Sequence, residues 1–227
     1  MSILVGIDGT GDEFTPSQSR DTRYDVTFAN SFVRRICNRA AANTRYIRGP
    51  VALGGGLLNA VNDGFNFIQA SRQSGANEPI LLTGYSRGAA GIVDIAARLQ
   101  RQRVEVKAML LFDCVDRHVA IDATTITSNV RHVLHVTRAP ESGSRASFGN
   151  AGRNYDQSTE YSEAIFHCTH GAMGGMPYPV PPGGSPNDYI VEGLPDGKTN
   201  TTYAQDALGS DRVWYYVQPF MSRHGFQ

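Results

Sequence analysis

Short apolar runs alternate with stretches of helical periodicity along most of this chain. The continuous apolar runs predict buried strands at 3–7, 44–49, 80–84, 104–113, 130–139 and 163–170. Apolar residues spaced three or four positions apart predict helices over about 24–41, from Leu57 to Ile68 and from Ile92 to Leu99. Strands that alternate with helices and are apolar throughout are typical of a parallel sheet with helices on both faces.

Residues 171–211 break this alternation, because they are rich in glycine and proline. We predict one long loop there, a candidate lid, followed by a closing helix around the sequence SDRVWYYVQPFMSR. Loops of that length in a compact domain tend to be functional or mobile. Residues 1–227 as a whole are predicted to form a single domain, since a chain of this length can bury a sizeable core.

Composition narrows the choice of partners. The 21 basic residues equal the 21 acidic ones, so the chain has no positive field for binding nucleic acid. No apolar stretch reaches the roughly 20 residues of a transmembrane helix, and the N-terminus is predicted to be a strand rather than a signal peptide. Cys37, Cys114 and Cys168 have no metal-site spacing and are expected to be reduced. We therefore expect a protein that is cytoplasmic, or exported without a cleaved leader, and that needs no cofactor.

The sequence GYSRG at 84–88 places one hydroxyl between two glycines, after a predicted strand and before a predicted helix. That context is typical of a nucleophile elbow, in which a strained turn holds a serine exposed above the sheet. Glycine at 84 and 88 removes the side chains that would clash in so crowded a turn. The alternative is an ordinary strand-to-helix turn with an incidental serine. We favour Ser86 as the nucleophile.

A nucleophilic serine needs a base to accept its proton and a carboxylate to orient that base. Asp113 lies at the end of the strand after the elbow helix and is the predicted acid, with Asp116 and Asp94 as alternatives. His170, at the start of the glycine-rich segment, is the predicted base. Its competitor is His167, which lies within the predicted strand and is less free to reach the elbow.

The other four histidines are weaker candidates for the base. His132 and His135 lie within a predicted strand and are expected to be packed or satisfied core groups. His118 follows the Asp113 loop, and His224 lies close to the C-terminus.

Acyl transfer also needs N–H groups directed at the oxyanion. The backbone N–H of Arg87, the residue after the candidate nucleophile, is the first expected donor. The N–H of Gly9 or Thr10, in the glycine-rich loop after the first strand, is the expected second donor. The alternative for that loop is a plain turn.

Two other chemistries fit the sequence less well. The segment GIDGTG resembles the DxDGT motif of magnesium-dependent aspartyl-phosphate phosphatases, but the position two residues before Asp8 is Gly6, so the nucleophilic aspartate is missing. Asp113, Asp116 and His118 are metal-ligand types, yet three such residues at a strand end are more often polar loop residues. We therefore predict no metal site.

Four separated motifs, IDGTGD, GYSRGAAG, LLFDCVD and FHCTHGAMGG, resemble in the same order the FDGT, GFSRGA, WDTVG and HxDxGG signatures of one α/β-hydrolase domain family. That family includes the lipase effectors delivered by type VI secretion systems. The resemblance covers about residues 3–176 and implies an α/β-hydrolase-like three-layer sandwich with a mostly parallel central sheet. It also implies a carboxylic ester hydrolase of esterase or lipase type, phospholipases included, with Ser86 as nucleophile, Asp113 as acid and His170 as base.

The chain departs from the family pattern in two ways. The family aspartate two residues after the histidine is Ala172 here, and the large helical additions of the secreted effectors are missing. We therefore expect a compact esterase core acting on a small-molecule or lipid ester. A secretion-machinery or immunity partner has no support in the sequence. The non-enzymatic alternative is a hydrolase-like fold retained as a binding or scaffold protein.

Overall fold

A parallel β-sheet forms the centre of the computed structural model, which describes residues 2–11, 22–51, 54–73, 78–116 and 121–227. Its strands and those of two smaller pairs are, in chain order, β1 (Ile3–Ile7), β2 (Asn43–Ile47), β3 (Ile80–Tyr85), β4 (Val106–Phe112), β5 (Thr125–Ile126), β6 (Val130–Arg138), β7 (Asn154–Tyr155), β8 (Glu160–Phe166), β9 (Tyr189–Glu192) and β10 (Gly197–Thr202). The central sheet has the order β2-β1-β3-β4-β6-β8, and each of its neighbouring pairs is parallel.

The helices of the described residues are α1 (Thr22–Thr27), α2 (Phe32–Arg39), α3 (Leu57–Gln73), α4 (Arg87–Arg101), α5 (His170–Met173) and α6 (Tyr203–His224). Apolar side chains of α3 and α4 pack with Val5 on one face of the sheet, and those of α2 and α6 pack with Leu4 on the other. Successive residues of a strand point to opposite faces, so both faces of β1 are buried. The predicted three-layer α/β sandwich with a mostly parallel sheet is confirmed.

The helix predicted over about 24–41 is instead two helices, α1 and α2. Ser31 separates them: its backbone is extended and its side chain accepts a hydrogen bond from the N–H of Arg34, so it caps α2. The apolar spacing continues across the break, because Phe28 and Phe32 are both buried in the same cluster. Periodicity alone therefore did not detect the interruption.

The prediction of one long loop over 171–211 was wrong. The segment contains the antiparallel hairpin β9–β10 and the first turns of α6, which begins at Tyr203 rather than around Ser210. Thr202 and Gln205 form a capping box that satisfies the first amides of α6. The strand predicted at 163–170 is β8, which ends at Phe166, so the residues beyond it lie in a turn and α5.

The order of the strands determines where a site can form. From β1 the chain moves to β2 on one side and then returns to β3 on the other side of β1. In open parallel sheets, ligands bind in the crevice beyond the carboxyl ends of the strands at such a reversal. The loop after β1 and the turn after β3 meet at this point. Among the described residues, none of the helices is both long and apolar enough to cross a bilayer.

Candidate active site

Ser86 occupies the sharp turn between β3 and α4. Its backbone has φ 56° and ψ −128°, a strained conformation for a residue with a side chain. The turn is held from the next strand, since the Ser86 N–H donates to the Phe112 carbonyl at 3.0 Å and the Val115 N–H donates to the Ser86 carbonyl at 3.2 Å. This conformation is the one that a nucleophile elbow requires.

The two glycines of the elbow are required for different reasons. A Cβ atom at Gly84 would lie 2.7 Å from Cα of Ala89, within the elbow itself. A Cβ atom at Gly88 would lie 2.1 Å from the carbonyl oxygen of Asp8. The first turn of α4 therefore packs directly against the backbone at the end of β1, which brings the two loops together.

Replacing Gly88 with alanine is predicted to destabilise the protein by more than the 1–3 kcal/mol or so that is typical of overpacking, because the obstructing atoms are backbone. Gly91→Ala is the matched control on the same helix, since its Cβ would meet the Leu57 side chain at 3.1 Å. Urea denaturation of both variants measures the difference. Equal losses of stability would contradict a rigid contact between α4 and the end of β1.

The structure brings together the three residues proposed from the sequence. Nε2 of His170 lies 2.9 Å from Oγ of Ser86, and Nδ1 of His170 lies 2.6 Å from Oδ2 of Asp113. All three side chains are largely buried. Hydrogen bonds in this order can move a proton from the serine to the imidazole while the carboxylate orients the ring.

The Asp113 carboxylate is also held by two residues that the sequence analysis did not consider. Nη1 of Arg138 lies 2.5 Å from Oδ2 in a buried ion pair, and Nδ2 of Asn150 donates to Oδ1 at 2.8 Å. Burial alone would raise the pKa of Asp113, but the hydrogen bond from His170 and the charges of His170 and Arg138 outweigh it. The pKa of Asp113 therefore lies well below its usual value, and its carboxyl group is ionised.

The main chain of His170 is held from the side of the β9–β10 hairpin. The backbone N–H of His170 donates to Oγ of Ser144 at 2.8 Å, and that hydroxyl donates to Oε1 of Glu192 on β9 at 2.7 Å. The Tyr85 hydroxyl donates to the His170 carbonyl at 2.9 Å. The hairpin thus braces the histidine, and the segment predicted as a candidate lid contributes structure to the site.

The loop after β1 also reaches the site. Thr10 and Gly11 line a cavity of about 400 Å³ that contains Ser86 and His170, and Nη1 of Arg87 lies 3.3 Å from Oγ1 of Thr10. The N–H of Gly9 donates to Oδ1 of Asp8 at 3.0 Å. Of the two donors considered in this loop, Thr10 is therefore better placed than Gly9 to face the cavity.

The remaining walls of the cavity combine three polar residues, Thr27, Arg145 and Glu192, with a larger number of apolar or aromatic ones. The apolar and aromatic residues come from the loop after α1, the segment after β4, the 3₁₀ turn near residue 148 and the segment after α5: Phe28, Val115, Phe148, Met176 and Tyr178. Pockets with such walls and a few convergent polar groups are typical of sites for small organic molecules.

The alternative acids make other contacts. Oδ2 of Asp116 accepts the Ala123 N–H at 2.9 Å, and Asp94 pairs with Arg98 one turn along α4. The competing base His167 lies beyond the end of β8, and its Nε2 is 3.2 Å from the carbonyl oxygen of Asn200.

Of the two strand histidines, only His135 is a core group. It is fully buried, it accepts the Cys114 N–H, and burial lowers its pKa to about 4, so it is neutral. His132 is instead partly exposed and pairs with Glu160 at 2.9 Å. His224 is also buried at the end of α6, its ring 4.4 Å from that of His132, and His118 lies outside the described residues. The described residues contain no cluster of three metal-ligating side chains.

Arg138, Asn150, Ser144 and Glu192 are the site residues that sequence reasoning missed. Arg138 carried a detectable signal, because it ends a predicted strand and a basic residue that is buried in a sheet needs a partner. The other three lie in loops and in the hairpin, where apolar periodicity carries no information about contacts.

No protein-family model matches the chain, and the search of curated proteins found no match. Among solved structures, the chain is similar to lipase B of Aspergillus fumigatus at 14% identity, covering 74% of this chain and 48% of that one with a TM-score of 0.45. A cutinase-like protein from Cryptococcus sp. is 17% identical over 56% of this chain and 59% of its own, with a TM-score of 0.34. The type II thioesterase of the borrelidin biosynthetic cluster is 11% identical over 74% and 85%, with a TM-score of 0.44.

This chain spans about half of the length of the lipase chain. The three-layer α/β sandwich of this chain follows from its own strand order and from the helices packed on both faces of the sheet.

Proposed function

We propose that this protein is a serine hydrolase that cleaves carboxylic esters through an acyl-enzyme, with residues 1–227 forming one catalytic domain. The observation that carries the proposal is the continuous hydrogen-bonded chain from Ser86 through His170 to Asp113, anchored at a strained elbow. Strain in a backbone persists only where the surrounding structure holds it, and it is concentrated at functional sites.

In the proposed reaction, Oγ of Ser86 attacks the ester carbonyl carbon while Nε2 of His170 accepts the hydroxyl proton. Asp113 holds the Nδ1–H of the ring and stabilises the imidazolium that forms. The backbone N–H groups of Arg87 and Thr10 donate to the oxyanion of the tetrahedral intermediate. His170 then protonates the leaving alcohol, and a water molecule activated by the same ring hydrolyses the acyl-enzyme to release the acid.

The proposed substrate is a small-molecule or lipid ester whose acyl or alcohol group fits a cavity of about 400 Å³. That volume lies at the lower end of the roughly 300–1,000 Å³ common for pockets that bind small molecules. Only the four sequence motifs support phospholipids as substrates, and only they support a role as a secreted effector. A series of p-nitrophenyl esters of increasing acyl length, with a phospholipid assay beside it, determines the acyl length and the class of alcohol.

A fluorophosphonate probe tests the mechanism, because it forms a covalent bond only with an activated serine. We expect labelling of a single peptide that contains Ser86, and no labelling of Ser86→Ala. Ser210→Ala is the matched control, since Ser210 is as buried as Ser86 but lies on α6. It should be labelled like the wild type. A folded wild-type protein that the probe leaves unlabelled would support the binding or scaffold alternative instead.

A further inference from the structure

Asp8 is a fully buried carboxyl group that the proposed mechanism does not use. Its Oδ1 accepts the N–H of Gly9 at 3.0 Å, and its Oδ2 accepts hydrogen bonds from the hydroxyls of Tyr46, at 3.0 Å, and of Ser31. A buried carboxyl group is costly unless hydrogen bonds compensate for the loss of water. Asp8 directly follows β1 and lies beside the candidate active site, so we asked what its buried side chain does there.

The short loop that begins with Asp8 is anchored at both ends. The Asp8 N–H donates to the Ile47 carbonyl at 3.1 Å, and the Gly11 N–H donates to the Pro50 carbonyl at 2.9 Å. Between them, the Tyr24 hydroxyl donates to the Gly9 carbonyl at 2.8 Å. Thr10 is held between these anchored neighbours.

The Asp8 side chain determines which way the first peptide group of this loop faces. By accepting the Gly9 N–H, Oδ1 turns that donor toward the protein interior and away from the cavity. The carbonyl oxygen of Asp8 in turn lies against Gly88, at the start of the helix that carries the elbow. The loop and the elbow are therefore in close backbone contact, with no room for a side chain between them.

We infer that Asp8 is a positioning residue, which fixes the Asp8–Gly11 loop so that the N–H of Thr10 can donate to the oxyanion formed at Ser86. This inference rests on the proposed function. What the loop needs from Asp8 is a hydrogen-bond acceptor at Oδ1, which an amide oxygen also supplies, rather than a negative charge. Alanine and asparagine substitutions distinguish the two roles, because asparagine keeps an oxygen acceptor without the charge and alanine keeps neither.

The surroundings of Asp8 agree with a role that does not depend on charge. Burial raises the pKa of its carboxyl group to about 7, against the lowering effect of the hydrogen bonds from Ser31, Gly9 and Tyr46 and of the charge of Arg34. The other titratable groups that interact with it are Cys37 on α2, Tyr46 on β2 and Tyr85 on β3. The Oδ1 atom can accept the Gly9 N–H in either protonation state.

The test compares Asp8→Ala with Asp8→Asn, using the full-length protein and a p-nitrophenyl ester that the wild type hydrolyses. We expect Asp8→Ala to lower kcat by about 10²-fold with little change in KM, as for the loss of one oxyanion donor. Asp8→Asn should recover most of that loss. Circular dichroism and thermal unfolding confirm that each variant is folded at the assay temperature.

Three results would overturn the inference. A folded Asp8→Ala with wild-type kcat would show that the loop needs no acceptor at this position. An Asp8→Asn as impaired as Asp8→Ala would show that the charge is required. A rise in KM with unchanged kcat would assign Asp8 to substrate binding. A wild type that hydrolyses no ester and binds no fluorophosphonate would instead refute the proposed function, so the two failures are distinguishable.

Discussion

Replacing Ser86 or His170 with alanine should lower kcat for ester hydrolysis by at least about 10³-fold without unfolding the protein. Without Ser86 no acyl-enzyme forms, and without His170 the hydroxyl keeps its proton because its Nε2 partner at 2.9 Å is gone. The double variant should be no slower than the worse single variant, because the two residues act in one step. Steady-state rates with a p-nitrophenyl ester measure kcat, and a urea denaturation curve shows whether each variant is folded.

His167→Ala is the control for this experiment. Its ring faces the Asn200 carbonyl, so its loss should leave kcat within a few-fold of the wild type. If His170→Ala stayed active while His167→Ala did not, the base would be His167 and the geometry at Ser86 would need another explanation. Asp113→Asn should also impair turnover, whereas Asp116→Asn should not, because the Asp116 carboxylate accepts the Ala123 N–H instead of a histidine.

Replacing Arg138 with methionine should destabilise the protein by about 3–5 kcal/mol at neutral pH. The substitution leaves the fully buried Asp113 carboxylate without its guanidinium partner at 2.5 Å, and an unpaired buried charge is costly. It also removes the donors that hold the chain after β6, since Arg138 donates to the carbonyls of Ser144 and Arg145. Urea denaturation with a linear extrapolation measures the loss.

Arg153→Met is the matched control, because Arg153 pairs with Glu163 at 2.6 Å but both side chains are partly exposed. Solvent screens such a pair, so its loss should cost less than about 1 kcal/mol. Similar losses for the two variants would mean that the Arg138–Asp113 pair stabilises no more than a surface pair does.

The Arg138–Asp113 pair also makes the stability of the protein depend on pH. The pKa of Asp113 is depressed in the folded protein, so its contribution to stability is present above the ordinary aspartate pKa and is lost as the pH falls toward the folded value.

The pH dependence that Asp8 contributes to stability has the opposite sign. Its pKa is raised in the folded protein, so its contribution is present below the ordinary aspartate pKa and is lost as the pH rises through about 7. In Asp8→Asn this pH dependence of stability should be absent, because the asparagine amide does not titrate. The difference in urea midpoint between this variant and the wild type, measured from pH 5 to pH 8, tests it, and a constant difference would contradict the raised pKa.

Much of the candidate site could be predicted because its parts are local. An apolar strand, a turn with glycine at both sides and an amphipathic helix lie within residues 80–101, so neighbours along the chain identify the elbow. Asp113 could be chosen because it directly follows an apolar run, and His170 because it begins a glycine-rich segment, although β8 ends earlier, at Phe166. Where two elements share one periodicity, as in α1 and α2, the same reading failed.

The amino-acid sequence by itself determined the six strands of the central parallel sheet, most of the helices between them and the three residues proposed for catalysis, because hydrophobic period and glycine spacing are properties of adjacent residues. Only the tertiary structure showed that Arg138 pairs with Asp113, that Glu192 is linked to His170 through Ser144, and that Asp8 accepts the N–H of Gly9 beside the elbow. Most of these contacts join residues from separate strands and loops, which strand order and register, rather than any local pattern, bring within hydrogen-bonding distance.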